Sequence, residues 1–180
     1  NRPRVAARGF ILSGAALVLG VLAVGIPWQW QRAAQRVPRI HDISTDTITP
    51  PGFDAVVPLR ADAPNSLDYL DEVAAEQRRG YPDLGPLVAP VEPDAMYALA
   101  LAEVERRGWT LVSADAERRV IEATDTTLWF GFTDDVVIRV TRMPAGSRVD
   151  VRSVSRVGRS DLGTNARRIR EFLQALAARS

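Results

Sequence analysis

The sequence predicts an α+β domain carried behind a single membrane-spanning helix. Three observations carry that expectation. Residues 9–27, GFILSGAALVLGVLAVGIP, hold no charge, and as a helix they would extend roughly 28 Å, against a hydrocarbon core of about 30 Å. From Trp109 onward, short runs rich in Val, Ile, Thr and aromatic residues alternate with polar turns, as antiparallel strands do. Two stretches, Met96–Val104 and Ile169–Leu176, place apolar residues at helical spacing. The expected domain is a five-stranded antiparallel sheet packed by helices on one face. The 180 residues divide into a basic tail (1–8), a transmembrane helix with an aromatic belt (9–30), an extended connector (31–64) and the α+β domain (65–180).

The tail carries Arg2, Arg4 and Arg8, and the apolar run is followed by Trp28 and Trp30 and then by Arg32, Arg36 and Arg39. Tryptophans at the membrane interface followed by a charged stop fit a span. A cleaved signal peptide with Ala23-Val24-Gly25 at its cut site is the alternative; the length of the run and the Arg-rich flank after it argue against that. Three arginines flank each side, so the charge rule for orientation is tied. A short basic tail ahead of a first span stays cytoplasmic, which puts the domain in the periplasm of a bacterial inner membrane. Ala16, Gly20 and Ala23 fall on one side of the span and would let other helices approach.

Residues 39–53, with Pro50-Pro51-Gly52, read as an extended, turn-rich connector. Asn65 or Ser66 can cap a helix running to Arg79, with Leu67, Leu70, Val73 and Ala74 on one face and Gly80 as its stop. Residues 81–90, YPDLGPLVAP, read as a proline-broken loop. A firmer helix starts near Pro93 and buries Met96, Leu99, Ala100 and Val104 before Gly108 ends it. Strands follow at 109–114, 119–124 and 128–133, then a hairpin, and a last helix runs from Thr164 or Asn165 to Ala178 with Ile169, Phe172, Leu173 and Leu176 inward.

The hairpin register follows from the pleat. Val136, Ile138 and Val140 share one face of its first strand, and Val149, Val151 and Ser153 share one face of its second. Pairing Ile138 with Ser153 and Val140 with Val151 aligns these sets around a turn at Pro144–Ser147. It also sets Arg139 opposite Arg152, which calls for an acidic partner such as Glu122, or for a bound anion.

Composition excludes several chemistries. There is no cysteine, no lysine and one histidine, His41, so disulfides, thiolate metal sites, lysine catalysis and multi-histidine metal centres are absent. The net charge of +1 conceals an asymmetry: residues 40–138 hold 7 Arg against 19 Asp and Glu, and residues 139–180 hold 10 Arg against 3. The two parts are expected to pair within one fold rather than to bind nucleic acid, since no aromatic interleaving accompanies the arginines.

Two readings of the charged residues follow. In the first, Glu122, Asp134, Asp135, Arg139, Asp150 and Arg152 form a structural ion-pair network. In the second, Arg139, Arg152 and Arg156, with Ser160, Asn165 and the backbone N–H groups opening the last helix, hold an anion. Gly158 and Gly163 have the spacing of a phosphate loop, but the lysine is missing and no parallel strand feeds the loop. His41, Asp42, Ser44 and Asp46 invite a triad reading that lacks a nucleophile elbow. Asp134 and Asp135 with Asp125 and Glu122 lack any recognised metal-loop spacing, so no metal and no cofactor is expected.

His41-Asp-Ile-Ser-Thr-Asp-Thr with Pro50-Pro51, Tyr81-Pro82-Asp83, Glu122-Ala-Thr, Asp134-Asp135 with Arg139, and Asp150-Val-Arg-Ser-x-Ser-Arg-x-Gly-x-Ser-Asp-x-Gly-x-Asn165 with Arg168-Ile169 form a specific combination. It resembles a bacterial and plastid family known as domain of unknown function 1499, over about residues 39–176. The resemblance implies one shared architecture for these charged residues and attachment to a membrane or export. It transfers no catalytic role. Three function classes stay open: a non-enzymatic accessory subunit of a larger membrane complex, photosynthetic or respiratory, partnered by integral-membrane subunits and the lipid bilayer; a periplasmic domain binding an anionic small molecule or lipid head group; and a carboxylate hydrolase around Glu122, Asp134 and Asp135.

Overall fold

The computed structural model describes residues 14, 16–25, 28–29, 32, 37–127 and 131–180. The chain forms two compact units, residues 1–37 and residues 38–180. In the first, residues 16–25 are helical, and the Arg32 guanidinium lies 3.8 Å from the centre of the Trp28 ring. Among the described residues no helix is long and apolar enough to cross a membrane. Much of the predicted span, Trp30 included, lies outside the described residues.

The second unit is α+β, and its described residues form one antiparallel sheet of six strands rather than five. The strands are β1 (Asp42–Ser44), β2 (Leu87–Ala89), β3 (Thr110–Asp115), β4 (Val120–Thr126), β5 (Thr133–Met143) and β6 (Gly146–Ser155). Their order is β1-β6-β5-β4-β3, and β2 also pairs with β6. The two three-residue strands sit end to end along the outer edge of β6, β1 against 152–154 and β2 against 147–149. Both fall where the sequence reads as connector or loop. Three residues are too few to display the alternation that marks a strand. Of the expected strand at 128–133, residues 128–130 lie outside the described residues; residues 131 and 132 are not strand, and Thr133 opens β5, which pairs with β4 directly.

The hairpin register differs from the expected one by two residues. Ile138 faces Val151 and Val140 faces Val149, so the turn shrinks to Pro144 and Ala145. A shift of two keeps every side chain on its expected face. It replaces the Arg139–Arg152 opposition with Arg139 opposite Asp150. The tighter turn thus turns a repulsive cross-strand pair into an attractive one.

Three helices complete the unit: α1 (Asp71–Gly80), α2 (Pro93–Arg106) and α3 (Thr164–Ala177). Helices α2 and α3 cover one sheet face. Met96, Ala100 and Val104 meet Ile169, Phe172 and Leu176 there, over Ile121, Ala123, Val136, Ile138, Val140, Val149 and Val151. Trp109 stacks on Phe172 at 5.5 Å between ring centres. Helix α1 starts at Asp71, later than expected, and Gly80 is its last residue. Its Gln77 accepts from the Ser44 N–H at 2.9 Å and donates to the Ser44 carbonyl at 2.6 Å. That side-chain amide closes the free edge of β1 as another strand would.

Among the described residues of this unit no long helix covers the opposite face. Residues 45–70, including a short 3-10 helix Val57–Arg60, lie over it, with Phe53 and Val56 packed on Val137 and Val154. Residues 38–64, expected as a connector, therefore belong to the compact unit.

Candidate functional site

Alternation along β4, β5 and β6 sorts the charged side chains onto two faces. Glu122, Asp135, Arg139, Arg148, Asp150, Arg152 and Arg156 turn toward the covering segment. Asp134, Ser153 and Ser155 turn toward α3. The covering segment supplies the partners on its side, and they form three groups.

At the centre, Arg152 is closed off. Its Nε and Nη2 donate to the two carboxylate oxygens of Asp42 at 3.0 and 2.7 Å. Its remaining bonds reach the Pro51 carbonyl at 3.3 Å and the Leu67 carbonyl at 2.7 Å. The guanidinium lies between the Phe53 and Tyr69 rings, 5.3 and 5.2 Å from their centres. Burial pushes the Asp42 carboxyl above the usual carboxylate range, against the opposing pull of Arg152. Toward the hairpin turn, Arg139 and Arg148 both bond to Asp46 and Asp150, at 2.9–3.3 Å. Burial would raise Asp46, but the Thr49 and Ile48 N–H groups and the two arginines outweigh it and hold the carboxyl low. At the far end, Asp135 is fully buried and takes both Arg60 and Arg156, the latter at 2.8 Å.

Among the described residues Glu122 forms no ion pair with an arginine, which corrects the expected pairing. Its carboxylate accepts the backbone N–H groups of Asp54, Ala55 and Val56, each at 2.9 Å. It pins the start of the 3-10 helix onto the sheet, as an N-terminal cap would.

The expected six-member network is thus several separate groups. Asp134 and Asp135 are neighbours in sequence and point to opposite faces, so they share no ion pair and could not hold one cation. Asp134 bonds instead to Arg168 of α3 at 2.7 Å, and Arg168 also reaches Asp125 at 2.8 Å. Among the described residues no group of three or more His, Asp or Glu is placed to hold a metal ion.

The five residues expected around an anion do not converge. Arg139, Arg152 and Arg156 lie on the covered face, while Ser160 and Asn165 belong to the α3 side. Asn165 accepts from the Ser153 hydroxyl at 2.7 Å and from Arg168, and donates to the His41 carbonyl and the Ser155 hydroxyl at 3.0 Å. The anion position at the start of α3 is filled from within. The Asp161 carboxylate accepts from Gly163 N at 3.0 Å and Asn165 N at 2.5 Å. Burial pushes the Asp161 carboxyl up, those two N–H groups pull it back, and the neighbouring Asp134 charge adds to the rise. Ser160 accepts from Leu162 N at 3.2 Å as a turn former.

The C-terminal arginines do find the acidic part of the chain. Eight of them, Arg139, Arg142, Arg148, Arg152, Arg156, Arg168, Arg170 and Arg179, pair with carboxylates between Asp42 and Asp135. Sequence reasoning missed Arg60, Asp42, Asp46, Asp161 and Arg168 as members of these groups. The charge asymmetry was the signal that such partners existed.

At one end of the sheet the described residues outline two adjoining clefts. A cleft of about 360 Å³ there is lined by Leu59, Asp62, Phe132 and Arg156, among others. An adjoining cleft of about 600 Å³ is lined by Phe132, Val157, Leu162 and Asp161, with Asp134 and Ser155 behind them. Both fall in the roughly 300–1,000 Å³ range of small-molecule sites. Phe132, Val157 and Leu162 are exposed large apolar side chains, and Leu162 holds φ +53°.

Residues 42–176 match the protein family described as "Protein of unknown function (DUF1499)". No curated protein matches the chain in sequence.

Proposed function

The chain belongs to the DUF1499 family, and from that premise we propose that it is a non-enzymatic, membrane-anchored accessory subunit that stabilises a larger membrane protein complex. In this reading residues 9–30 are a single span, with Trp28 and Trp30 at the interface, the N-terminus is cytoplasmic, and the domain is periplasmic in a bacterial inner membrane. Its partners are the bilayer and integral-membrane subunits, and a photosynthetic or respiratory complex is the proposed setting.

The observation that carries the reading is the internal use of charge. Arg139, Arg148, Arg152 and Arg168 each close on carboxylates of the same domain, and Glu122 and Asp161 are taken by backbone N–H groups. Such stapling makes a rigid body, while a catalytic group needs an acid or base free to meet a substrate. The uncharged stretch at 9–27 supplies the means of attachment.

The test is gentle detergent extraction from native membranes, affinity capture of this chain, and mass spectrometry of what accompanies it. Integral-membrane subunits in fixed stoichiometry are the expected result. A chain that runs alone, in every mild detergent tried, defeats the accessory role. A second reading, binding of an anionic small molecule or head group, is favoured by one observation: Arg156 lines an open cleft.

A further inference from the structure

We propose that the cleft beside Arg156 at the end of the sheet binds an amphipathic anion, an alkyl chain ended by a carboxylate or phosphate. Its head group meets Arg156 and its tail lies along Phe132, Val157 and Leu162. The proposal deepens the second reading above and does not depend on the accessory role.

The head-group end carries a guanidinium with unused N–H donors. Arg60 and Arg156 share the single carboxylate of Asp135, which is fully buried between them. Arg156 uses three of its five N–H groups: Nε and Nη2 on Asp135, and Nη1 on the Leu59 carbonyl at 2.9 Å. Two N–H groups are left for an incoming oxygen, and the side chain keeps 21% of its exposure. Asp62, on the rim of this end, is exposed to water. A planar guanidinium with a spare edge suits a carboxylate or phosphate.

The other end is apolar. Phe132 and Val157 line both clefts and so form their common wall. Leu162 continues the wall with 61% of its surface exposed. Its backbone is left-handed, a conformation that side chains other than Gly, Asn and Asp rarely adopt, and it holds a leucine at the mouth of the cleft. The carboxylates bordering this end are engaged elsewhere, Asp134 with Arg168 and Asp161 with the first N–H groups of α3.

The test uses the full chain in nanodiscs of phosphatidylcholine, titrated with decanoate labelled with carbon-13 at the carboxyl. The signal is read by NMR against empty discs. A saturable shift with one site per chain is expected, and decanol should compete at least tenfold more weakly. Arg156→Gln should weaken binding roughly tenfold or more, the usual loss for a hydrogen bond to a charged group. Leu162→Asp places a repelling carboxylate on the apolar wall at a backbone conformation that Asp tolerates, so the variant should fold and lose binding. Decyl phosphate separates the sources. Tighter binding than decanoate points to a phospholipid head group, weaker binding to a free fatty acid, and both support the shared chemistry. The proposal is overturned if no saturable shift exceeds that of empty discs, if decanol competes as well as decanoate, or if Leu162→Asp binds like the parent.

Discussion

Replacing Arg152 by methionine should destabilise the domain by about 3–5 kcal/mol, the usual cost of breaking a buried ion pair from one side. The structure says why the value belongs at that end. Arg152 and Asp42 each keep only 4% of their side-chain exposure. Methionine fills much of the space of the arginine stem but leaves the Asp42 carboxylate buried without its bidentate partner. It also releases the Pro51 and Leu67 carbonyls, which anchor the covering segment at both ends. Removing both charges is a different perturbation. The Arg152→Met, Asp42→Leu double variant should lie within about 2 kcal/mol of the parent, since no unpaired charge remains. If Asp42→Leu, which strands the arginine, costs as much as Arg152→Met, the coupling between the two sites should be at least about 4 kcal/mol. Urea unfolding of the full chain in mild detergent, followed by near-ultraviolet circular dichroism, gives all four corners of the cycle. A single variant within about 1 kcal/mol of the parent would refute the reasoning, and so would a double variant as unstable as the two singles summed.

Glu122→Gln should cost about 1–3 kcal/mol, because an amide offers one oxygen where three backbone N–H groups now find two; hydrogen exchange at Val56 should accelerate more than exchange in β6. Gly146→Ala should cost about 3 kcal/mol or more, since Gly146 sits at φ +133° and an added Cβ would come within 2.1 Å of the Ala89 carbonyl oxygen. Gly85→Ala, where a Cβ meets open space, is the control and should leave the melting temperature nearly unchanged. The Arg106 hydrogen bond, helped by Arg107 and opposed by burial, holds the Glu103 carboxyl below its ordinary value of 4.5. A lowered folded pKa means that this stability is fully present above the unfolded pKa and is lost as pH falls through the folded one. Glu103→Gln should therefore flatten the stability profile below about pH 4.5, measured by urea titration at successive pH values. Asp161 has the opposite sign. Its raised pKa gives a contribution present below the unfolded value and lost as pH rises through the folded value, so Asp161→Asn should reduce that part of the decline.

Much of this protein could be read from its residues. Period-2 alternation gave β3 to β6 and, for the hairpin strands β5 and β6, the correct face of their side chains, and period-3.6 spacing gave α2 and α3 with Met96, Val104, Ile169 and Phe172 inward. These patterns are local, and burial of one face enforces them. The imbalance between acidic and basic parts told, from composition, that the chain would pair with itself. Tertiary structure alone decided which charges meet. The strands β1 and β2 exist because β6 supplies their pairing. Glu122 caps a segment 66 to 68 residues away instead of facing an arginine. The hairpin slips by two residues, and every face is preserved while Arg139 gains Asp150. The physical reason is the same in each case. Sequence periodicity fixes the direction of a side chain, whereas a charge's partner is set by which distant backbone arrives over it, and that is a property of the closed fold.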